Sequence, residues 1–223
     1  MREIEKPYVI LSAAMTIDGK IASKTGDPEL SDELDWREVH KLRSNVDGIM
    51  VGKNTILNDN PKLHIKFYKH DGYKRIVVDS NLSVPIDSQV ITFQPKIYST
   101  IICTTENTPI AKIKDFELKG VKIIKSGKGK KVNIINLLPL LYNLGIKKLL
   151  LEGGGTLNWS FIKNNLVDEV RLTIAPWMVG GKTAISLVDG DGFGSMSQAP
   201  RFKLIDVVNR DSYLVLKYRK CKK

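Results

Sequence analysis

Three consecutive glycines are the sequence feature with the clearest chemical meaning. Gly153, Gly154 and Gly155, followed by Thr156, lie between a predicted strand and a predicted helix. Glycines let backbone N–H groups approach a phosphate closely, and the N-terminal end of a helix is electropositive. The turn therefore predicts a nucleotide phosphate site, with an ordinary strand-to-helix turn as the alternative. It is not the dinucleotide-binding fingerprint, because Asn158 stands where that motif requires a third glycine.

Four carboxylates lie at or just past the ends of predicted strands: Asp18, Asp59, Asp79 and Glu152. An open α/β sheet binds its ligand at the carboxyl ends of the strands, so together they predict a site, although each is also an ordinary turn residue. No Ser-His pair, nucleophile elbow or paired-carboxylate spacing accompanies them. A nucleotide site without acid–base machinery favours hydride transfer, in which the cofactor carries the reactive group.

The histidines and cysteines predict no metal site. His40, His64 and His70 are scattered along the chain, and we expect surface or capping roles for them rather than catalysis. Cys103 and Cys221 have neither a CxxC spacing nor a histidine nearby. Two isolated cysteines favour a reducing cytoplasm.

The chain is basic, with 35 Lys and Arg against 24 Asp and Glu and a formal net charge of +11. This excess predicts anionic partners, unless the lysines only form a solvated surface. Nucleic acid is not the expected partner, because aromatic residues make up only 7% and no RNA-binding signature or zinc finger is present. No apolar run reaches the roughly 20 residues of a membrane-spanning helix, so we expect no membrane contact.

Short apolar runs alternate with helical spacing in the first part of the chain, and β-rich runs follow Asp168. The predicted strands are Tyr8–Met15, Gly48–Val51, Arg75–Val78, Lys96–Cys103, Val121–Ile124, Lys148–Glu152, Val170–Ala175, Phe202–Val208 and Tyr213–Tyr218. Helices are predicted to begin at Ser31, Gly52, Ile134 and Leu157. This order predicts a three-layer α/β fold with a mixed sheet and an antiparallel C-terminal part. Without a repeat or a long linker, residues 1–223 are expected to form a single domain.

The helix after Ser31 is predicted from its start signal and its apolar spacing. Ser31 is the expected N-cap, and acidic residues follow in the first turn. Leu34, Val39, Leu42 and Val46 are expected on the buried side.

Five segments, in this order and spacing, resemble the riboflavin-biosynthesis reductases. The segments are Ser12–Ala22, Leu42-Arg43, Gly52–Leu63, Leu151–Leu157 and Leu166–Glu169, the last followed by Ala175-Pro176 and Gly180-Gly181. The resemblance covers nearly the whole chain. It is closest to the free-standing archaeal and fungal type and extends to the reductase half of the bacterial deaminase/reductase.

The resemblance implies a dihydrofolate-reductase-like fold, a homodimer and NADPH as the hydride donor. The substrate would be a pyrimidine carrying a ribose 5-phosphate, and the ribosyl group would be reduced to ribityl. Thr55, Asp59 and Ser80 match family positions that contact the cofactor. Gly153, Gly154, Gly155, Thr156 and Leu157 match the turn that binds its pyrophosphate.

The resemblance also implies three substrate-side residues. Arg43 is the candidate phosphate clamp, and Glu152 is the candidate catalytic residue, orienting the pyrimidine or the ribose hydroxyls. Lys66 falls where bacterial members have an arginine near the substrate phosphate. Asp27–Ser31 departs from the bacterial Ser-x-Trp-Ile-Thr run and favours the archaeal type.

Two other functions stay open on the sequence alone. A pteridine reductase of the same fold is the alternative within the same enzyme class, and a basic nucleic-acid-binding protein is the alternative outside it. The zinc motifs of the bacterial deaminase, His-x-Glu and Pro-Cys-x-x-Cys, do not occur in the sequence. We therefore expect reduction without deamination.

Overall fold

A computed structural model describes residues 5–221, which form nine strands and six helices. The strands are β1 (Tyr8–Thr16), β2 (Gly48–Gly52), β3 (Lys74–Val78), β4 (Thr100–Thr104), β5 (Lys122–Lys125), β6 (Lys148–Leu151), β7 (Glu169–Ala175), β8 (Phe202–Arg210) and β9 (Tyr213–Lys220). The helices are α1 (Glu33–Arg43), α2 (Lys53–Asp59), α3 (Gln89–Thr92), α4 (Ile110–Leu118), α5 (Ile134–Asn143) and α6 (Gly155–Ile162). Within residues 5–221, no helix combines the length and the apolar character needed to cross a bilayer.

The strands pair in the order β5-β4-β3-β2-β6-β1-β7-β9-β8. The pairs β1–β7, β2–β3, β3–β4 and β4–β5 are parallel, whereas β7–β9 and β8–β9 are antiparallel. The last two strands are antiparallel neighbours because only Asp211 and Ser212 connect them, and a parallel pair needs a crossover of a dozen or more residues. The predicted α/β fold with a mixed sheet and antiparallel C-terminal strands is confirmed.

The described chain divides into two compact units. The first unit comprises residues 5–8 and His40–Leu150, and the second comprises Val9–Val39 and residues 151–221. The first unit has a core of apolar side chains from its strands and helices, among them Val51, Ile56, Val77, Leu82, Ile102 and Phe116. The single domain over residues 1–223 stays a prediction, and its first four and last two residues lie outside the described range.

Helix α1 differs from its prediction at its start and on its buried face. Asp32, rather than Ser31, caps it, since the Asp32 carboxylate accepts the Asp35 N–H at 2.8 Å. Leu34 is 59% exposed and therefore does not line the buried side. The buried positions are polar: Asp35, His40 and Arg43. Of the other predicted positions, Val39 and Leu42 are half-buried and Val46 is buried, so polar and apolar contacts share the buried side.

The buried face of α1 holds a network of charged groups in the second unit. Asp35 Oδ1 accepts hydrogen bonds from Arg171 Nη2 at 2.6 Å and from Thr173 Oγ1 at 2.7 Å, and Asp35 Oδ2 accepts from Ser31 Oγ at 2.6 Å. Arg171 and Thr173 lie on β7, and both are buried with Asp35. Because both carboxylate oxygens have partners, the buried negative charge of Asp35 is compensated.

Other elements also differ from prediction, and α6 begins at Gly155 rather than at Leu157. Strand β4 begins at Thr100, not at Lys96, and the preceding residues lie in an irregular segment. Helices α3 and α4 were not expected. Helix α3 has four residues and α4 nine, with only Ile113 and Phe116 of α4 buried, so neither leaves a strong periodic pattern in the sequence.

Candidate active site

The glycine turn of the second unit joins β6 to α6. The Gly154 carbonyl accepts the Leu157 and Asn158 N–H groups, both at 3.0 Å, and so begins the helix. The N–H groups of Gly155 and Thr156, the first two helical residues, have no partner inside the helix, as at any helix start. Thr156 is exposed, and Glu152, which immediately precedes the turn, is half-buried. The turn can therefore donate backbone hydrogen bonds to an anion.

The three glycines of the turn differ in whether the protein structure requires them. Gly153 has a φ of +91°, which favours glycine. A Cβ at Gly155 would lie 2.4 Å from the Asp189 carboxylate, so packing inside the protein excludes a side chain there. A Cβ at Gly154 would meet only Ile21 Cδ1, at 4.0 Å. Backbone conformation and packing therefore explain Gly153 and Gly155, whereas the space beside Gly154 is open.

Asn158 is a polar group of this turn that the sequence reasoning missed as a site residue. It is 1% exposed, and its Nδ2 donates to the Leu187 carbonyl at 2.8 Å. Among the residues described, nothing donates a hydrogen bond to its buried Oδ1. Asn158 lies against Gly153, 3.3 Å from the position of an added Cβ. An unpartnered buried acceptor beside the turn fits a ligand that carries hydrogen-bond donors.

In the first unit, α2 positions Thr55 and Asp59. Buried Ile56 packs the helix into the core, and Asn60 ends it in the left-handed conformation. Thr55 and Asp59 are four residues apart and so share one face. Asp59 lies at the end of this helix, which corrects the prediction that it follows a strand. Partial desolvation raises the pKa of Asp59.

Ser80 follows β3 and is held by hydrogen bonds within the first unit. Its Oγ accepts the Val132 N–H at 3.1 Å, and its carbonyl accepts the hydroxyls of Thr104 at 3.0 Å and Thr105 at 3.1 Å. Ser80 Oγ can still donate its own hydrogen to a ligand.

Asp79 and Asp18 have structural roles, as the ordinary-turn alternative predicts. The buried Asp79 carboxylate accepts the Val84 N–H at 2.8 Å and also the backbone and hydroxyl hydrogens of Ser83. Asp18 accepts the Gly180 N–H at 2.7 Å and the Thr16 hydroxyl at 2.6 Å. These hydrogen bonds, that of Thr16 foremost, lower the pKa of Asp18 to about 2.

The segment of residues 62–66, here called the 62–66 loop, carries Lys66. Each of its five residues has a backbone group bonded to a side chain from outside the loop. Arg75 donates to the Lys62 carbonyl at 3.0 Å, Tyr73 to the Leu63 carbonyl at 2.6 Å and Arg43 to the His64 carbonyl at 3.1 Å, while the Ile65 N–H donates to Tyr98 Oη at 3.1 Å and the Lys66 N–H to His40 Nδ1 at 3.2 Å. Although the loop has no regular secondary structure, its backbone is fixed along its full length.

Basic side chains gather where α1 contacts this loop. Burial, followed by the charges of Arg43, His64 and Lys66, lowers the pKa of His40 to about 4. Burial and the charges of Lys66, Arg43, Lys62 and Arg75 lower the pKa of His64. His40 is only 4% exposed and its imidazole bonds to the Lys66 N–H, which corrects the expected surface or capping role. This arrangement brings Arg43 and Lys66, the two predicted phosphate-binding residues, to one basic region that suits an anion.

The depressed pKa of His40 predicts a pH-dependent stability. Unfolded His40 binds a proton near its ordinary pKa of 6.5, whereas folded His40 resists protonation down to about 4. Between these values the unfolded state binds more protons, so stability falls as the pH falls through this window. We expect thermal unfolding between pH 7 and pH 4 to show a smaller loss of Tm in His40→Asn than in the wild type. Parallel Tm curves would contradict a neutral His40 in the folded state.

The sequence places this chain among known proteins. A family model described as the RibD C-terminal domain matches residues 7–216. The 2,5-diamino-6-ribosylamino-4(3H)-pyrimidinone 5′-phosphate reductase of Methanothermobacter thermautotrophicus is 41% identical over 216 residues, covering 96% of this chain and 98% of that protein.

Solved structures share the fold. RibD of Acinetobacter baumannii has a TM-score of 0.81 at 22% identity, covering 97% of this chain and 58% of that one. Dihydrofolate reductase of Enterococcus faecalis has a TM-score of 0.54 at 11% identity, covering 98% of this chain and 99% of that one. The predicted dihydrofolate-reductase-like fold is confirmed. With the family match over residues 7–216, the chain belongs to the RibD C-terminal domain family, the reductases of riboflavin biosynthesis.

Proposed function

We propose that the protein reduces 2,5-diamino-6-ribosylamino-4(3H)-pyrimidinone 5′-phosphate to its ribitylamino product with NADPH. The observation that carries this proposal is the 41% identity to an archaeal reductase of that name, over 98% of its length. The basic region around Arg43 and Lys66 supports a phosphorylated substrate, and the glycine turn supports a nucleotide cofactor.

The proposal assigns two sets of residues to the cofactor. Thr55, Asp59 and Ser80 would contact NADPH, and the turn of Gly153–Leu157 would bind its pyrophosphate, with the Gly155 and Thr156 N–H groups as donors. The open space at Gly154 supports a ligand there. When bound, NADPH supplies the hydride.

The substrate-binding residues have separate proposed tasks. Arg43 and Lys66 would bind the 5′-phosphate, since guanidinium and ammonium groups pair with phosphate oxygens. Glu152 would orient the pyrimidine or the ribose hydroxyls. The first ribose carbon accepts a hydride only when the sugar ring is open, most simply as an imine. A proton on the nitrogen then completes the reduction of the C=N bond to CH–NH.

A homodimer and a cytoplasmic location also belong to the proposal. Strand β8 is at one end of the strand order, and Leu204, Ile205, Val207 and Leu214 of β8 and β9 are between 38% and 50% exposed. An apolar edge strand of this kind suits burial against a second copy. Sedimentation of the purified protein would measure the oligomeric state.

The assay that tests the proposed function compares two reductase substrates. Purified protein is mixed with NADPH and either the ribosylamino-pyrimidine phosphate or dihydrofolate, and the nicotinamide absorbance is followed. We expect consumption with the first substrate only. Consumption with dihydrofolate alone would favour a pteridine reductase. Oligonucleotide binding that persists at physiological salt, without NADPH binding, would favour a nucleic-acid-binding protein.

Arg43→Ala is expected to raise KM for the phosphorylated substrate by about 10-fold to 100-fold, because one charge-assisted contact is worth about 1.5–3 kcal/mol. The Kd for NADPH should change little. Arg37→Ala is the matched control, since Arg37 lies on the same helix and pairs with Glu33 at the surface. Equal losses of affinity for both ligands in Arg43→Ala would contradict the proposed role of Arg43.

A further inference from the structure

The last turn of α1 contacts the 62–66 loop through two side chains. Arg43 Nη1 donates to the His64 carbonyl at 3.1 Å, and His40 Nδ1 accepts the Lys66 N–H at 3.2 Å. His40 and Arg43 are three residues apart and therefore lie on the same face of the helix. Together they fix the loop backbone at His64 and at Lys66, on either side of Ile65.

The role of His40 in this contact requires a neutral imidazole. Its Nδ1 accepts a hydrogen from a backbone N–H, so a proton on Nδ1 would remove the bond. The charged and titratable groups that face it are Arg43 on its own helix and His64 and Lys66 on the loop. The Phe67 ring packs edge-on against it, with ring centroids 5.1 Å apart. Cationic and apolar neighbours both disfavour an imidazolium, so this acceptor is preserved at neutral pH.

We propose that His40 is a positioning residue that sets the place of Lys66 through its backbone. This inference rests on the proposed function, in which Lys66 binds the substrate phosphate. A lysine presents one point charge on a long flexible stem, without the planar fork of an arginine. Its placement therefore depends on where the chain holds its Cα, and the bond from the Lys66 N–H to His40 Nδ1 is one of the contacts that fix it.

Two variants of similar polarity test whether residue 40 must place a hydrogen-bond acceptor at the position of Nδ1 or needs only to be polar. In His40→Asn, the amide oxygen takes nearly the position of Nδ1. In His40→Gln, the oxygen lies one bond farther from the helix, away from the Lys66 N–H. We expect His40→Gln to raise KM for the phosphorylated substrate by about 10-fold, and His40→Asn to stay within about 3-fold of the wild type. In both variants kcat and the Kd for NADPH should change by less than about 2-fold.

A second experiment keeps the inference testable through Lys66 itself. Lys66→Ala removes the ammonium group but keeps the backbone N–H. In this background, His40→Gln should raise KM by less than about 2-fold, because the group that it misplaces is already gone. Thr100→Val is the structural control, since it removes another buried hydrogen bond of the first unit, from Thr100 Oγ1 to the Val90 carbonyl, outside the loop.

Each outcome is decisive. A KM in His40→Gln equal to that of the wild type, equal KM values for the Asn and Gln variants, or an undiminished effect in the Lys66→Ala background would each overturn the positioning role. An increase of KM in Thr100→Val as large as in His40→Gln would also overturn it, because the effect would then reflect general destabilisation. If the wild type does not consume NADPH with the phosphorylated pyrimidine, the proposed function itself fails, and the wild-type assay alone shows this.

Discussion

Replacing Gly154 with valine is expected to weaken NADPH binding by about 100-fold or more. The valine side chain would occupy space that the protein leaves open at the start of α6, where a Cβ meets only Ile21 Cδ1 at 4.0 Å. The pyrophosphate would lose charge-assisted hydrogen bonds worth about 1.5–3 kcal/mol each, so two lost bonds give at least this factor. Titration of nicotinamide fluorescence measures the Kd.

The control for this variant is Gly194→Val in the same unit. Gly194, like Gly154, lacks a positive φ. A Cβ added to Gly194 would lie 3.4 Å from the Gln198 side chain, its nearest neighbour. Both variants should keep a Tm close to that of the wild type, and only Gly154→Val should lose NADPH affinity. Unchanged affinity in a folded Gly154→Val protein would remove the glycine turn from the proposed cofactor site.

The second large effect is expected from Asp35→Ala, which should lower the free energy of unfolding by about 3–5 kcal/mol. The substitution leaves the Arg171 guanidinium buried without its carboxylate, and Thr173 loses the same partner. Urea denaturation monitored by circular dichroism measures the change. Glu33→Ala on the same helix is the control, because the exposed Glu33–Arg37 pair should contribute less than about 1 kcal/mol. Similar losses in both variants would contradict the importance of the buried pair.

Much of the fold could be predicted from the sequence because its strands are continuous apolar runs. Strands β1, β2, β3 and β6 lie within one or two residues of their predicted bounds. Burial on both faces of a parallel strand leaves this pattern in the chain itself. The glycine turn was predictable because three consecutive glycines between a strand and a helix allow backbone conformations, such as the positive φ of Gly153, that other residues rarely adopt.

The polar side of α1 could not be predicted, because its partners are remote in sequence. Asp35 bonds to Arg171, 136 residues away, and His40 bonds to the backbone of Lys66, 26 residues away. Helical periodicity records apolar burial, whereas a buried charge is explained only by a partner that the fold supplies. The sign of this polar side in the sequence is the three-residue spacing of His40 and Arg43, which places both residues on one side of the helix.

The strand-end carboxylates show a related limit, because their position in sequence does not reveal which groups they bond to. Asp79 looked like a ligand residue by position, yet its oxygens accept hydrogen bonds from the turn that follows it. A turn residue and a ligand residue share the same position in sequence, and only the hydrogen-bond partners distinguish them. The resemblance to a family assigned roles to Glu152 and Asp59 alone, a distinction that the shared strand-end position of the four carboxylates could not make.

The most direct test of the proposed function is the fate of the hydride. The protein is supplied with NADPH deuterated at C4 of the nicotinamide, prepared as each of the two stereoisomers, and with the ribosylamino-pyrimidine phosphate. NMR and mass spectrometry then locate the label in the product. One isomer should deliver a single deuterium to the first carbon of the new ribityl chain. A ribityl product without deuterium from either isomer, or with deuterium at another carbon, would contradict the proposed reduction.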